Sequence, residues 1–373
     1  MPQILSLKRE AFGLDISDVS LKISRLKKRG KFFDLISFGE KEIGSGIMKE
    51  GEIKDEKKLA QIIKEGIKKV KGSKLNTNYV VASLPEEKAF LQVIKMPRIS
   101  EEDLKSAVIY EAENYIPLPI EEVYLDSQIV SPVDSYQKSC DVLICAVPKK
   151  IVDPYSSSLK LAGLQPVAFE IESMAIARTL IEKEVSLYPT LIIDLGATRT
   201  SFIIFAGKTV RFTSSIPISS QGFTQIISKT LKINLAEAEK LKTKYGLEEK
   251  VKLKIEDEKT IKWMEKGRVF EALVPPLIDL VQQIKKSLDF YESHASSSGL
   301  PGGEKVKKIL LCGGGANLKG LIELLTVELK LSVELGNPWL NILEKPEKGS
   351  SKLSLEKSLS YTTALGLALR AIK

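Results

Sequence analysis

The sequence predicts an α/β protein of two similarly built lobes, and three segments carry that prediction. The first is Phe12-Gly13-Leu14-Asp15-Ile16-Ser17-Asp18-Val19-Ser20-Leu21-Lys22-Ile23. The second is Leu191-Ile192-Ile193-Asp194-Leu195-Gly196-Ala197-Thr198-Arg199-Thr200-Ser201-Phe202-Ile203-Ile204. Each reads as an apolar strand, an Asp, one residue, a small residue, a polar turn and a second apolar strand. The third, Lys308-Ile309-Leu310-Leu311-Cys312-Gly313-Gly314-Gly315-Ala316-Asn317-Leu318, reads as strand, triple glycine and helix. Two such turns, about 180 residues apart, imply two lobes whose turns face each other across a cleft.

These turns suit phosphate chemistry. Gly13, Ser17, Gly196, Ala197 and Thr198 are small, so backbone N–H groups beside them can approach phosphate oxygens. Asp15 and Asp194 can each hold a cation or a water. Gly313, Gly314 and Gly315 lack a Cβ, so the chain there, with Asn317, can pass close to a flat ligand or a phosphate. Each motif alone also fits a plain hairpin or a tight turn. The three in this order are much more specific.

The remaining elements follow in order. Residues 19–24 and 32–38 read as hairpin strands. Leu59, Ile62, Ile63, Ile67 and Val70 recur at helical spacing, with lysines on the solvated face. Residues 79–84 form a short buried strand closed by Pro85. Residues 86–163 then read as β-α-β-β-α. Their first strand is 90–96. A helix opened by Ser100 with Asp103 is stopped by Pro117 and Pro119. Strands 125–131 and 141–147 and a helix 151–161 ending at Gly163 complete the unit. Residues 167–177 are strand into helix. Beyond the second turn come strands 205–210 and 211–216 about Gly207-Lys208, and a helix opened at Gln221-Gly222-Phe223. A helix 235–245 is capped by Asn234 with Glu237. A helix 270–292 has Pro275-Pro276 near its start. Loops at 296–303 and 349–351 and a helix from about Tyr361 close the chain.

Bulk composition excludes several classes. Hydrophobic residues are 43% and charged residues 28%, which excludes a disordered chain. No apolar run approaches the roughly 18–20 residues that span a bilayer, and residues 1–10 are too weakly apolar for a secretory signal. Cys140, Cys145 and Cys312 are the only cysteines. They offer no second ligand pair for a metal, and the expected compartment is reducing and cytoplasmic. One histidine, His294, excludes most His-based catalysis and fits a solvent-side helix end. The net charge of +8 is mostly lysine, a solvated face that also suits anionic lipid. Aromatics are 6% and are not interleaved with the basic runs, so nucleic acid is not an expected partner.

The three motifs resemble those of the actin-like ATPase superfamily, which includes Hsp70, sugar kinases and FtsA. Three further segments narrow the resemblance to the PilM family of type IV pilus assembly proteins, over nearly the whole chain. They are Tyr110-Glu111-Ala112-Glu113-Asn114-Tyr115-Ile116-Pro117-Leu118-Pro119-Ile120-Glu121-Glu122-Val123, Gly336-Asn337-Pro338-Trp339 and Ala364-Leu365-Gly366-Leu367-Ala368-Leu369-Arg370. The resemblance implies a two-lobe actin-like (ribonuclease H-like) fold with a small inserted FtsA-type subdomain. Residues 1–85, 164–188 and 357–373 would form the first lobe, 86–163 the inserted subdomain and 189–356 the second lobe.

The resemblance further implies ATP and Mg²⁺ as ligands, with Asp15 and Asp194 at the metal. Gly222 would lie near the phosphates. Glu239 and Lys242, three apart on one helix face, would contact the ribose or base; as plain residues they make an exposed ion pair. Glu170 matches the position that places the attacking water, so Glu170, Asp194 and Asp15 are the candidate catalytic residues. Its other reading is a Glu favouring a helix N-terminus. Hydrolysis is expected to be slow, with nucleotide acting through lobe closure. The implied partner is the cytoplasmic N-terminal tail of PilN, in a groove beside the inserted subdomain. Tyr115, Ile116 and Leu118 then read as an exposed docking ridge, or as a subdomain seam. Other inner-membrane platform proteins, motor ATPases and self-association are further candidates, at the cytoplasmic face of the inner membrane.

Three alternatives use the same fold. A small-molecule kinase needs a third cleft Asp, and none is evident. An FtsA-like division protein would continue past the last helix into a linker and a membrane helix. The cytoplasmic part of a type II secretion protein would continue into a transmembrane segment.

Overall fold

The computed structural model describes residues 10–97, 101–130, 139–247, 258–294, 305–344 and 353–372. The chain forms two compact units. Unit 1 comprises Met1–Val185, Lys208–Arg211 and Asn337–Lys373; unit 2 comprises Ser186–Gly207 and Phe212–Gly336.

Unit 1 opens with β1 (Phe12–Ile16), β2 (Ser20–Arg29) and β3 (Phe32–Glu42). A small hairpin, β4 (Met48–Lys49) and β5 (Glu52–Ile53), leads to α1 (Glu56–Lys68), β6 (Lys71–Gly72) and β7 (Tyr79–Leu84). Next come β8 (Phe90–Pro97), α2 (Glu101–Ala112), β9 (Val123–Ile129), β10 (Ser139–Pro148), α3 (Lys149–Leu161), β11 (Gln165–Ile171) and α4 (Glu172–Leu180). Six strands form one sheet in the order β11-β7-β1-β2-β3-β6. The pairs of β7 with β1 and β11 are parallel, and those among β1, β2 and β3 antiparallel. Strand β1 is buried throughout and β7 nearly so, as central strands covered on both faces must be.

Unit 2 contains β12 (Ser186–Leu195), β13 (Thr200–Gly207), β14 (Thr209–Ile216) from Phe212 onward, α5 (Ser220–Leu231), α6 (Leu235–Tyr245), α7 (Glu258–His294), β15 (Lys308–Cys312), α8 (Leu321–Leu329) and β16 (Ser332–Leu335). Its sheet runs β14-β13-β12-β15-β16. The chain then returns to unit 1 with α9 (Leu355–Leu359) and α10 (Thr362–Ile372).

Local chemistry accounts for the packing. Asp55 caps α1 by accepting the Lys58 N–H at 3.0 Å. Leu59, Ala60, Ile63 and Gly66 are its buried stripe. Helix α10 carries Thr362 to Leu369 fully buried, which requires close backbone approach. A Cβ on Gly13 would collide with Ala364 O and lie 2.6 Å from Ala368 N, and one on Gly366 would collide with Ala175 O. These two glycines let α10 lie against β1 and α4.

The inserted stretch has its own sheet, β8-β10-β9. With α2 and the turn after it, the sheet forms a core of Ile94, Met96, Val108, Ala112, Ile116 and Ile144. Helix α3 instead puts Ile151, Val152, Tyr155 and Leu159 into the core of the six-stranded sheet, beside Leu59 and Ile63. Residues 337–344, expected in the second lobe, belong to unit 1. Trp339 and Ile342 pack with Leu26, Leu35 and Tyr361, and the Phe33 N–H donates to Ile342 O at 2.7 Å.

Two differences from the sequence reading have simple causes. The hairpin strands β2 and β3 run longer, because their outer ends are polar and carry no apolar alternation. Helix α7 starts at Glu258, so Pro275 and Pro276 lie inside it, where sequence alone favours Pro near a start. Ser100 and the expected loops at 296–303 and 349–351 lie outside the described residues. His294 is exposed and stacks on Phe290 with ring centres 4.2 Å apart.

Candidate functional site

In unit 1 the β1–β2 turn places Asp15 in the core, 6% exposed. Its Oδ1 accepts from Ser83 Oγ at 3.1 Å, and that hydroxyl accepts the Ile16 N–H at 2.9 Å. Burial pushes the Asp15 carboxyl above its ordinary range; the positive charge of Lys22 and the Ser83 hydroxyl oppose the shift. Lys22 is the cross-strand partner of Asp15, and its Nζ donates to Ser20 Oγ at 3.0 Å. Ser17 closes the turn, donating to Ser20 O at 2.9 Å and accepting the Ser20 N–H at 3.2 Å. Asp18 accepts the N–H groups of Glu50 and Gly51 at 3.1 and 2.9 Å. Lys22 escaped the sequence reading, although the hairpin register puts it opposite Asp15. Gly13 lies beneath α10, so its small size serves packing and not a ligand.

Unit 2 brings the second turn, the glycine triple and the start of α5 together. The Gly196 N–H donates to Arg199 O at 2.9 Å; Gly196 O and Ala197 O accept from the N–H groups of Ser220 and Gln221 at 3.0 and 3.1 Å. The first turn of α5 therefore stands on this turn. The Gly222 N–H is taken by Ser219 Oγ at 3.1 Å, the N-cap bond. Thr198 is half-buried in the turn. Asp194 pairs with Cys312 across β12 and β15. Burial pushes the Cys312 thiol well up, and the neighbouring Asp194 charge, hydrogen-bonded to it, adds to the shift. Gly313 has φ +82°, and a Cβ there would collide with Asp194 Oδ1 and lie 2.6 Å from Leu195 O. A Cβ on Gly315 would meet Leu195 Cγ at 2.5 Å. Gly313 and Gly315 are thus buried packing positions, while Gly314 and Asn317 are exposed.

Glu239 and Lys242 pair at 2.8 Å, but not as a surface pair. Lys242 is 6% exposed. Its Nζ donates at 2.8 Å to Ser220 O, Ser220 Oγ and Thr224 Oγ1. Burial pulls its pKa down, and Glu239 opposes this. Lys242 thus locks α6 to the first turn of α5, and the half-exposed Glu239 is the member that a ligand can reach.

Glu170 does neither of the things the sequence suggested. Its side chain is 3% exposed, and Arg178 Nη1 and Nη2 donate to its two oxygens at 2.6 and 2.5 Å. Arg370 Nη1 lies 3.0 Å from Oε1. A carboxylate held by two guanidinium groups is not free to orient or deprotonate a water. Helix α4 is instead met by Glu86, whose Oε2 accepts the Ser173 N–H at 3.0 Å.

The Glu170 cluster lines a cavity of about 490 Å³, wholly within unit 1. One wall is the inserted sheet: Leu91, five consecutive residues of β9 (124–128), and Leu143, Cys145 and Val147 of β10. The other wall is α3, the end of β11 and α4, with Phe169, Glu170, Met174 and Arg178, and Arg370 of α10. Burial pushes the Cys145 thiol up to about 12, so it is an inert part of the apolar floor. Tyr115, Ile116 and Leu118, expected as a docking ridge, do not line this cavity. Ile116 is 6% exposed inside the α2 core, and Leu118 packs on that core. Only Tyr115, 51% exposed, is available on the surface. The apolar density around the two prolines packs into the inserted stretch's own core. Among the described residues no group of three or more His, Cys, Asp or Glu side chains forms a metal site, and no helix is long and apolar enough to cross a membrane.

The family model "Type IV pilus assembly protein PilM" matches residues 13–372. The chain belongs to this family. The solved structure "PilM-PilN type IV pilus biogenesis complex" aligns over 98% of this chain and 99% of that one, at 28% identity and a TM-score of 0.79. The cell division protein FtsA of Streptococcus pneumoniae serotype 2 (strain D39) is 25% identical over 89% of this chain and 77% of its own length. The FtsA match in Enterococcus faecalis is shorter, 51% of this chain and 43% of that protein. MreB5 of Spiroplasma citri, in a structure titled as bound to ADP, is 14% identical at a TM-score of 0.52 and shares the fold. The chain is therefore an actin-like type IV pilus assembly protein of the PilM family.

Proposed function

We propose that this protein is a nucleotide-dependent scaffold that captures the N-terminal tail of a PilN-type membrane protein at the cytoplasmic face of the inner membrane. The observation that carries this reading is the cavity between the inserted sheet and the α3–β11–α4 wall. Its apolar floor and its charged rim of Glu170, Arg178 and Arg370 suit an extended peptide with apolar anchors. The family's solved complex, whose title names PilN, supports a tail as the occupant. A direct test is fluorescence anisotropy with a labelled peptide of the PilN-type tail. Saturable binding to the whole protein is expected; no binding with or without nucleotide overturns the proposal.

ATP with Mg²⁺ is the nucleotide we assign. In unit 2 the groups suited to it are the turn at Gly196–Thr198, the exposed Gly314 and Asn317, and the reachable Glu239. In unit 1 they are the turn at Ser17 and the Lys22 ammonium. Asp15 and Asp194 are single carboxylates, which suits Mg²⁺, since it keeps waters and phosphate oxygens as its other ligands. The bound ion would neutralise phosphate charge. Glu170 has no part in hydrolysis, and the chain is read as a scaffold whose turnover, if any, is slow. Platform proteins, motor ATPases and other copies of this chain are further candidate partners. The FtsA-like and kinase readings gain no site of their own from the structure.

A further inference from the structure

We propose, resting on the tail-capture reading above, that the tail binds by adding a strand to the outer edge of β9, which pairs with no other described strand. Strand β9 is the edge of the sheet β8-β10-β9. Five consecutive residues, 124–128, line the cavity. A cavity over one face of a strand would meet only alternate residues, because side chains alternate between faces. On β10 only the alternate residues Leu143, Cys145 and Val147 line it, so the cavity covers one face of the sheet; on β9 it also meets Leu125 and Ser127, so it reaches the edge.

The hydrogen-bond phase of that edge follows from the register. Val142 pairs with Ile129, Ile144 with Ser127 and Ala146 with Leu125, in antiparallel sense. The Val130 N–H donates to Asp141 O at 2.9 Å, so residues 130 and 141 face each other at a hydrogen-bonded position of the ladder. Such pairs recur every second residue. Tyr124, Asp126 and Gln128 therefore turn their backbone groups toward β10. Leu125 and Ser127 turn theirs outward, along the cavity. A row of outward N–H and C=O groups is the template that an added strand uses.

One outward donor is already engaged. The Ser127 N–H donates to Asp126 Oδ1 at 2.9 Å. This contact with the preceding side chain needs no tertiary partner, and an incoming carbonyl can replace it. The same alternation fixes the recognition. Side chains of every second tail residue would lie on the cavity face beside Tyr124, Asp126 and Gln128, the register partners of Val147, Cys145 and Leu143, and the intervening ones would face away.

The test is a backbone N-methyl scan of the synthetic tail peptide against the intact protein. Strand addition predicts a period of two: methylation at alternate nitrogens weakens binding tenfold or more, and at the nitrogens between them changes it little. Ser127→Pro removes an outward donor without touching the bonds to β10, and should weaken the peptide tenfold with an unchanged melting temperature. If Ser127→Pro does not fold, the scan on the wild-type protein decides alone. A flat scan, with the peptide still displaced by filling the cavity, overturns strand addition and leaves the groove reading standing. An unmodified peptide that does not bind at all overturns both.

Discussion

Glu170 gives both carboxylate oxygens to Arg178, at 2.6 and 2.5 Å, and Arg370 approaches the same group at 3.0 Å. This cluster joins the end of β11, α4 and the last helix on one side of the cavity. Breaking a buried charge cluster strands the remaining partners, so Glu170→Ala should destabilise unit 1 by about 3 kcal/mol. Nucleotide affinity and turnover should not change in protein that remains folded. Thermal melts and nucleotide titration check this. A stable variant that loses only turnover would return Glu170 to catalysis.

Asp15 predicts a trade between stability and binding. Its folded carboxyl titrates above its ordinary 3.8, chiefly through burial. The unfolded chain therefore releases this proton first, and stability falls as pH rises from that value through the folded one. Asp15→Asn should remove this contribution to the pH dependence and be no less stable than wild type at neutral pH. It should also lose stabilisation by Mg-ATP. Urea melts across pH 3.5–7, with and without nucleotide, separate the two effects.

Gly313 predicts a defect confined to unit 2. Gly313→Ala must move Asp194 or Leu195, because no Cβ fits beside them, and it also strains a left-handed backbone. A ligand at a hundred times its dissociation constant raises stability by about 2.7 kcal/mol. That Mg-ATP shift should be present in wild type and lost in Gly313→Ala, while tail binding in unit 1 persists. An undiminished shift would remove the glycine loop from the site.

The segment after α2 provides a further check. Ile116→Ser opens a void and buries a hydroxyl in the α2 core, at a cost of about 3 kcal/mol. Tyr115→Ala, on the surface, should change stability by less than about 0.5 kcal/mol. Equal melting curves for the two variants would contradict the assignment of Ile116 to the core.

The architecture was legible because it is written locally. The acidic turns, the cap at Asn234 and the glycine triple each depend on residues close in sequence. What escaped depends on register and long-range packing. Lys22 becomes relevant only when the hairpin register sets it opposite Asp15. Gly13 and Gly315 look like ligand positions until α10 and Leu195 occupy the space beside them. Arg178 and Arg370 are 192 positions apart, and nothing local reveals that both hold Glu170. The burial of Ile116 and Leu118 escaped for the same reason: apolar density around Pro117 and Pro119 marks a buried core as readily as a surface.

The most direct measurement is calorimetric titration of the tail peptide into Cys145→Trp. Cys145 sits on the cavity floor, opposite Leu91 and Asp126 on the neighbouring strands. An indole there can occupy the void without displacing core. The account predicts a folded protein with wild-type response to Mg-ATP and at least tenfold weaker tail binding. A folded variant that binds the tail as wild type does would contradict it.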